Sequence, residues 1–184
     1  MLRELRRIVT EVDKNGNSVI RMDGPPGNIF EMDGQEIVGE LWKTSASAPD
    51  LHALTDPVEG AIRLEPDKGG VLFRYFMVAP EPAQSTTEEK AKIKEQYDKA
   101  FAAVEAEQNY QVQGARHPAM HKTDTLDFIV VIQGEVTLLV GERDEVTLKS
   151  GDSIIQCATD HAWVNYGPKP ALLMAVLIDA HRRE

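Results

Sequence analysis

The stretch that decides the fold is "DFIVVIQGEVTLLVGERDEVTLKSGDSIIQCATDHAWVN", Asp127 to Asn165. Aliphatic and β-branched residues crowd it in short runs, and Gly134, Gly141 and Gly151 interrupt them. Runs of this length, rich in Val and Ile and bounded by glycine-containing turns, read as strands. Continued to Ala180, past Gly167, the pattern holds about six of them. Many short strands with regular turn signals make an all-β sandwich or barrel.

Toward the N-terminus one segment breaks this pattern. From Thr86 to Gln108 the apolar residues Ile93, Tyr97, Phe101 and Val104 recur at helical spacing. Ser85 or Thr86 can cap the start, since Glu88 and Glu89 follow each by three residues. The expectation is one amphipathic helix docked on a sheet. Earlier still, "RRIVTEVD" and "SVIRM" flank Lys14 to Asn17, whose Asn-Gly is a hairpin signal. "EIVGELWKT" (36–44) and "GVLFRYFMVA" (70–79) are further strands, separated by a loop with Pro49 and Pro57. These N-terminal strands carry no histidine cluster of their own. They read as additions to one barrel within a single domain, 1–184, whose conserved-type core runs from 114 to 180.

Composition bounds the function. The chain has 184 residues, 42% hydrophobic and 27% charged, long enough to bury a core without disulfides. Its one cysteine, Cys157, excludes an internal disulfide and a cysteine zinc finger, and fits a reducing compartment. Cys157 reads as a small buried residue. The net charge of −10 argues against nucleic acid, whose phosphates require a basic footprint. "MLRELRRIVTEVD" has no long apolar run, so neither a secretory signal nor a membrane span is expected, and the location expected is cytoplasmic.

Two motifs then stand out. "HPAMHKTDTLDFIVVIQG" places His117 and His121 before Asp127, and six residues separate Asp127 from Gly134. "GDSIIQCATDHAWVN" opens with Gly151 and Asp152, places His161 ten residues after Gly151 and ends at Asn165. Together they resemble the cupin superfamily, small double-sheet jelly rolls. Its first motif has a His-x-His pair, a later Glu and then Gly. Its second has Gly-Asp, a Pro-x-Gly turn, His and, four residues on, Asn. Here Asp127 takes the Glu position, "CAT" replaces the Pro-x-Gly turn, and His117-x-x-x-His121 stands where the His-x-His pair is expected. The resemblance covers roughly the last third of the chain and implies a jelly-roll barrel with extra N-terminal strands and one helix.

It also implies a divalent transition metal, Fe, Mn, Zn or Ni, held by His121, His161, Asp127 and His117. Strand geometry grades that set. Residues i and i+2 share a face about 6.6 Å apart, whereas i and i+4 lie about 13 Å apart on a straight strand. His121 and His161, on different strands, are therefore the strongest pair, Asp127 is next, and His117 reaches the site only if Pro118 bends the chain. Two histidines and a carboxylate suit Fe(II), Mn or Zn. Asp124 could orient a histidine or, like an unligated His117, serve as general base. Arg116 could grip a carboxylate. Ile129, Val131, Trp163 and Asn165 are the remaining pocket candidates, and Trp42, Arg74 and Tyr75 could close one mouth. His52 and His181 read as surface residues. Two functions follow: a metal-dependent enzyme on a small organic substrate (decarboxylase, dioxygenase, isomerase or lyase), or a metal-free small-molecule binder. No nucleic-acid or membrane partner is expected. A homodimer is, since exposed strand edges call for cover.

Overall fold

The computed structural model describes residues 5–49, 51, 55–104 and 110–181. In chain order the elements are β1 (Arg7–Val12), β2 (Ser18–Gly24), β3 (Asn28–Met32), β4 (Gln35–Thr44), β5 (Val71–Val78), α1 (Thr87–Ala103), β6 (Thr125–Gln133), β7 (Glu135–Val140), β8 (Asp144–Lys149), β9 (Ser153–Cys157), β10 (His161–Val164) and β11 (Ala171–Asp179). The expected six strands beyond Gln113 are β6–β11. With β3–β5 they form an all-β jelly-roll barrel of two facing sheets. The larger has the order β3-β4-β5-β11-β6-β9 and the smaller β10-β7-β8.

Period-two alternation builds the core. On β6, Thr125, Asp127, Ile129 and Val131 are buried, while Phe128, Val130 and Ile132 between them are exposed. Leu72, Val131, Val136, Leu138, Leu173 and Leu177 join Ile129 in one apolar cluster. Each such side chain contributes about 1.5–3 kcal/mol by leaving water. Gly134 turns β6 into β7 with φ +88°, and a Cβ there would meet the Ala171 Cα at 3.0 Å. Both the left-handed backbone and the close approach require glycine.

Three of the N-terminal strands extend the large sheet, because β5 pairs with β11 along its whole length. β1 and β2 form a separate hairpin around Asn15-Gly16, with Gly16 at φ +81°. The Asp13 carboxylate accepts the Asn15 and Asn17 N–H groups and closes this turn. Arg7 ties the hairpin to the body through Asp56 at 2.5 Å and the Leu41 carbonyl.

The helix departs from its expected form. Thr86 caps it with Glu89 in a reciprocal capping box, but α1 ends at Ala103 and buries none of its own residues. Residues 105–108 of the expected span lie outside the described residues. Tyr97 packs on the cluster of Leu139, Ala162 and Val164 from β7 and β10, and Ile93, Tyr97 and Phe101 also line a cavity. Cys157 is exposed. It follows Gln156, which is buried, so the alternation of β9 turns its thiol outward.

Candidate functional site

The barrel encloses a cavity of about 400 Å³ between the two sheets, roofed by α1. Its walls are largely apolar: Phe76, Ile129, Trp163, Ala175, Tyr97 and Phe101 among them. Polar side chains interrupt the walls, among them His121, His161, Asp127 and Arg74.

His121 and His161 stand side by side because their backbones pair. Each N–H donates to the other's carbonyl at 2.9 Å, which places both side chains on one face. Their ring centroids are 4.3 Å apart. Each Nδ1 lies 2.9 Å from a backbone carbonyl, Ala119 O for His121 and Thr159 O for His161. A carbonyl only accepts, so Nδ1 carries the hydrogen and Nε2 keeps its lone pair. Burial, and then the neighbouring His121, push the His161 imidazolium down to about 3. Burial likewise lowers His121. The pair is neutral at ordinary pH. Trp163 and Phe101 stand edge-on to His161 and His121 at 6.0 and 5.3 Å.

His117 does not join this pair. A turn closed by Met120 N–H to His117 O, with Pro118 at its second position, carries the chain round the corner. The Ala119 N–H donates to His117 Nδ1, so the opposite nitrogen carries the hydrogen and donates to Glu81 at 2.8 Å. Tyr97 stacks edge-on to the His117 ring, and its hydroxyl is pushed up by burial and by the Glu81 charge. His117 therefore stays off the cavity wall, held by Tyr97 and Glu81, which do line it.

Asp127 and Arg74 occupy the floor. β11 runs between their strands, with Ala175 opposite both Arg74 and Ile129 and Leu177 opposite Asp127. Asp127 is 4% exposed and Arg74 5%. Burial raises the Asp127 carboxyl to about 6, opposed by the Thr125 hydroxyl and the Arg74 charge. Burial also lowers Arg74 to about 10, opposed by Glu40 and Asp127. Glu40, directly across β4–β5, has its carboxylate 4.0 Å from the guanidinium.

Other expected site residues lie elsewhere. Asn165 is fully buried but structural: its amide donates to the Val78 and Lys169 carbonyls and its oxygen accepts from Gly167. Arg116 reaches Glu145 and the Val140 and Asp144 carbonyls on the outer surface. Asp124 is exposed, and a backbone carbonyl orients His121 in its place. Val131 belongs to the packed core and not to the cavity wall. Of the proposed mouth residues only Arg74 enters. Tyr75 turns to the other face, over Gly39, where a Cβ would meet its ring at 2.1 Å, and Trp42 lines a separate groove. His181 is exposed, and His52 lies outside the described residues.

Thr123, two residues after His121, also lines the cavity. It stands where the second histidine of a His-x-His pair would, with His121 in the place of the first. Counting back from Gly134 and Asp127 finds it. This substitution bears on the metal. The expected set requires its side chains to converge within about 2.0–2.3 Å of one ion. Among the described residues no three His, Cys, Asp or Glu side chains are so placed. The Thr123 hydroxyl is bonded to Thr125 at 2.8 Å, His117 is held by Glu81, and Asp127 sits beside Arg74. The residues supply two nitrogen donors and do not fit the four-ligand set of His117, His121, Asp127 and His161.

Comparison with known proteins places this architecture. Residues 106–177 match the family model of the cupin domain. The cupin-domain-containing oxidoreductase srdD of Neurospora crassa is 25% identical over 97% of this chain and 76% of its own length. Oryzines biosynthesis cluster protein J of Aspergillus oryzae is 44% identical over 26% of this chain and 27% of its own length. A Cupin 2 conserved barrel domain protein of Salinispora arenicola superposes with a TM-score of 0.40 at 12% identity, over 83% of this chain and 82% of that one. The chain carries a segment, residues 106–177, that matches the cupin domain.

Proposed function

We propose that this chain is an enzyme that moves a proton on a small, mostly apolar organic substrate held in the barrel. One observation carries the reading: two neutral imidazoles, fixed in the same tautomer with Nε2 unprotonated, line a largely apolar cavity. An imidazole that stays unprotonated at ordinary pH is free to accept a proton from a carbon next to a carbonyl, and because burial weakens it as a base the reading is restricted to activated carbon acids. His161 or His121 takes the proton, and the other ring steadies the developing charge. The reactions within reach are isomerisation and elimination.

The test is solvent exchange. The protein is incubated in D₂O with bicyclic aryl ketones such as 1-tetralone, with and without EDTA, and deuterium at the α-carbon is followed by NMR. Exchange above the buffer rate, unaffected by EDTA and lost in His161→Gln, is the expected result. Ketone binding without exchange would leave the chain a small-molecule binder. A second reading has its own observation: carbonyl-bound Nδ1 atoms are also how histidines are oriented toward a metal. A divalent metal on His121 and His161, with substrate or water completing its shell, would give stoichiometric metal in the purified protein that disappears in His121→Ala. The proposed macromolecular partner is a second copy of the chain, covering the outward Phe128, Val130, Ile132 and Ile155 side chains. A monomer mass in solution would overturn that part.

A further inference from the structure

Two backbone carbonyls hold His121 and His161 in one tautomer, and the two carbonyls are not themselves held alike. The Thr159 carbonyl belongs to the turn before β10. The Ala119 carbonyl belongs to the turn His117–Met120, and His117 ties that turn at two points. Its own carbonyl accepts the Met120 N–H at 3.0 Å, and its ring Nδ1 accepts the Ala119 N–H at 3.1 Å. The peptide groups on both sides of Ala119 are therefore tied to one residue. The Met120 N–H and the Ala119 carbonyl belong to the same planar trans peptide and point opposite ways. Directing that N–H back to His117 directs the carbonyl away from it, to the His121 Nδ1 at 2.9 Å.

The His117 ring does this in only one form. Its Nδ1 accepts only while the ring hydrogen sits on Nε2. Glu81 selects that form, because a carboxylate only accepts and its oxygen lies 2.8 Å from Nε2. Glu81 is anchored in turn, its N–H donating to the Asn165 carbonyl at 2.8 Å. The His117 and Glu81 side chains are each 11% exposed, so little water reaches these bonds. The links run without a gap from Glu81 through His117 and the Ala119 peptide groups to His121. The His121 backbone is held separately, by its pairing with His161. Loss of the His117 ring acceptor would leave the buried Ala119 N–H unpaired, at a cost of about 1–3 kcal/mol. Rotation of the peptide groups relieves that cost and takes the carbonyl from Nδ1, while the His121 backbone stays in place.

We propose that His117 and Glu81 are positioning residues for His121: through the Ala119 peptide groups they keep its hydrogen on Nδ1 and its Nε2 free as a base. This rests on the reading that His121 takes part in the chemistry, and the experiment separates the two. The tautomers of His121 and His161 are read from long-range proton–nitrogen NMR spectra of their rings in protein kept with EDTA. Deuterium exchange of 1-tetralone is followed beside them. His117→Phe keeps a ring against Tyr97 but offers no acceptor. It is expected to move His121 to a mixture of tautomers, to leave His161 as in the parent, and to slow exchange about tenfold. His117→Asn, whose side-chain oxygen reaches the N–H two residues on, is expected to return the parental His121 signal. Glu81→Leu must act as His117→Phe does and serves if that variant does not fold, whereas Glu81→Gln still offers an oxygen to His117 and keeps the parental signal. An unchanged His121 tautomer in His117→Phe and Glu81→Leu overturns the proposal. So does an equal change at His161, which would mark a general loosening of the barrel. A parent that shows no exchange overturns the catalytic reading alone, because the tautomers are read without turnover.

Discussion

The two ends of the cavity answer the same problem, burial of titratable groups, in opposite ways. At the histidine end both rings are neutral, and each has its polar hydrogen satisfied by a backbone carbonyl. At the floor, Arg74, Glu40 and Asp127 keep ionisable groups buried with hydrogen-bonding atoms unmatched. The histidine end comes wholly from the cupin segment, and the floor joins β6 to the added strands β4 and β5. A satisfied neutral pair costs the fold little and stays available for chemistry. A half-satisfied ionic group costs stability.

The two ends also respond to acid with opposite sign. The folded His161 value near 3 lies below the 6.5 of an unfolded chain. As pH falls from about 6.5 toward 3 the unfolded state gains a proton that the folded state refuses, so stability drains over that window. The folded Asp127 value near 6 lies above the usual 3.8. Its contribution is fully present below about 3.8 and is lost as pH rises through 6.

The largest break in this comparison comes from Arg74→Met. It leaves Glu40 buried and uncompensated and is expected to cost about 3–5 kcal/mol in urea unfolding, most of it recovered in E40M/R74M. Recovery absent from the double variant would show that the pair does not act as a unit. His161→Gln should lower ketone exchange by about a hundredfold or more. In the same variant the loss of thermal stability between pH 6.5 and 4 should be shallower than in the parent. Asp127→Asn touches the other end and should raise stability at pH 8 by about 2 kcal/mol, with no gain at pH 3. A gain at both pH values would mean that the carboxyl is not held above its ordinary range. The smallest effect is expected from Ala158→Gly. Ala158 has φ +50° in the turn that sets the Thr159 carbonyl under His161. Glycine relieves the left-handed strain, about 1 kcal/mol in denaturant titration, without altering exchange.

Much of the fold was legible along the chain because its signals are local. The Asn15-Gly16 turn, the alternation of β6 and the Thr86–Glu89 cap depend on residues within a few positions of one another. The end of the helix near Ala103 was not legible, since Val104, expected within the stripe, serves as its C-cap, and a periodic pattern does not mark where a turn stops. Of the site, the strand period determined that His161 and Trp163 share a face and that Asp127 shares one with Ile129. It also showed that His117 and His121 cannot meet on a straight strand.

What only the tertiary structure decided is which groups face one another across the barrel. Arg74 stands 53 residues before Asp127 and Glu40 a further 34 before Arg74, yet strand pairing through β4, β5, β11 and β6 brings them to one floor. The turn at Pro118 sent His117 to Glu81, 36 positions away in the chain. Local sequence sets the face on which a side chain lies, because a strand's period is two. Register between distant strands sets its neighbours, and that register comes from burying the apolar faces of the whole sheet at once.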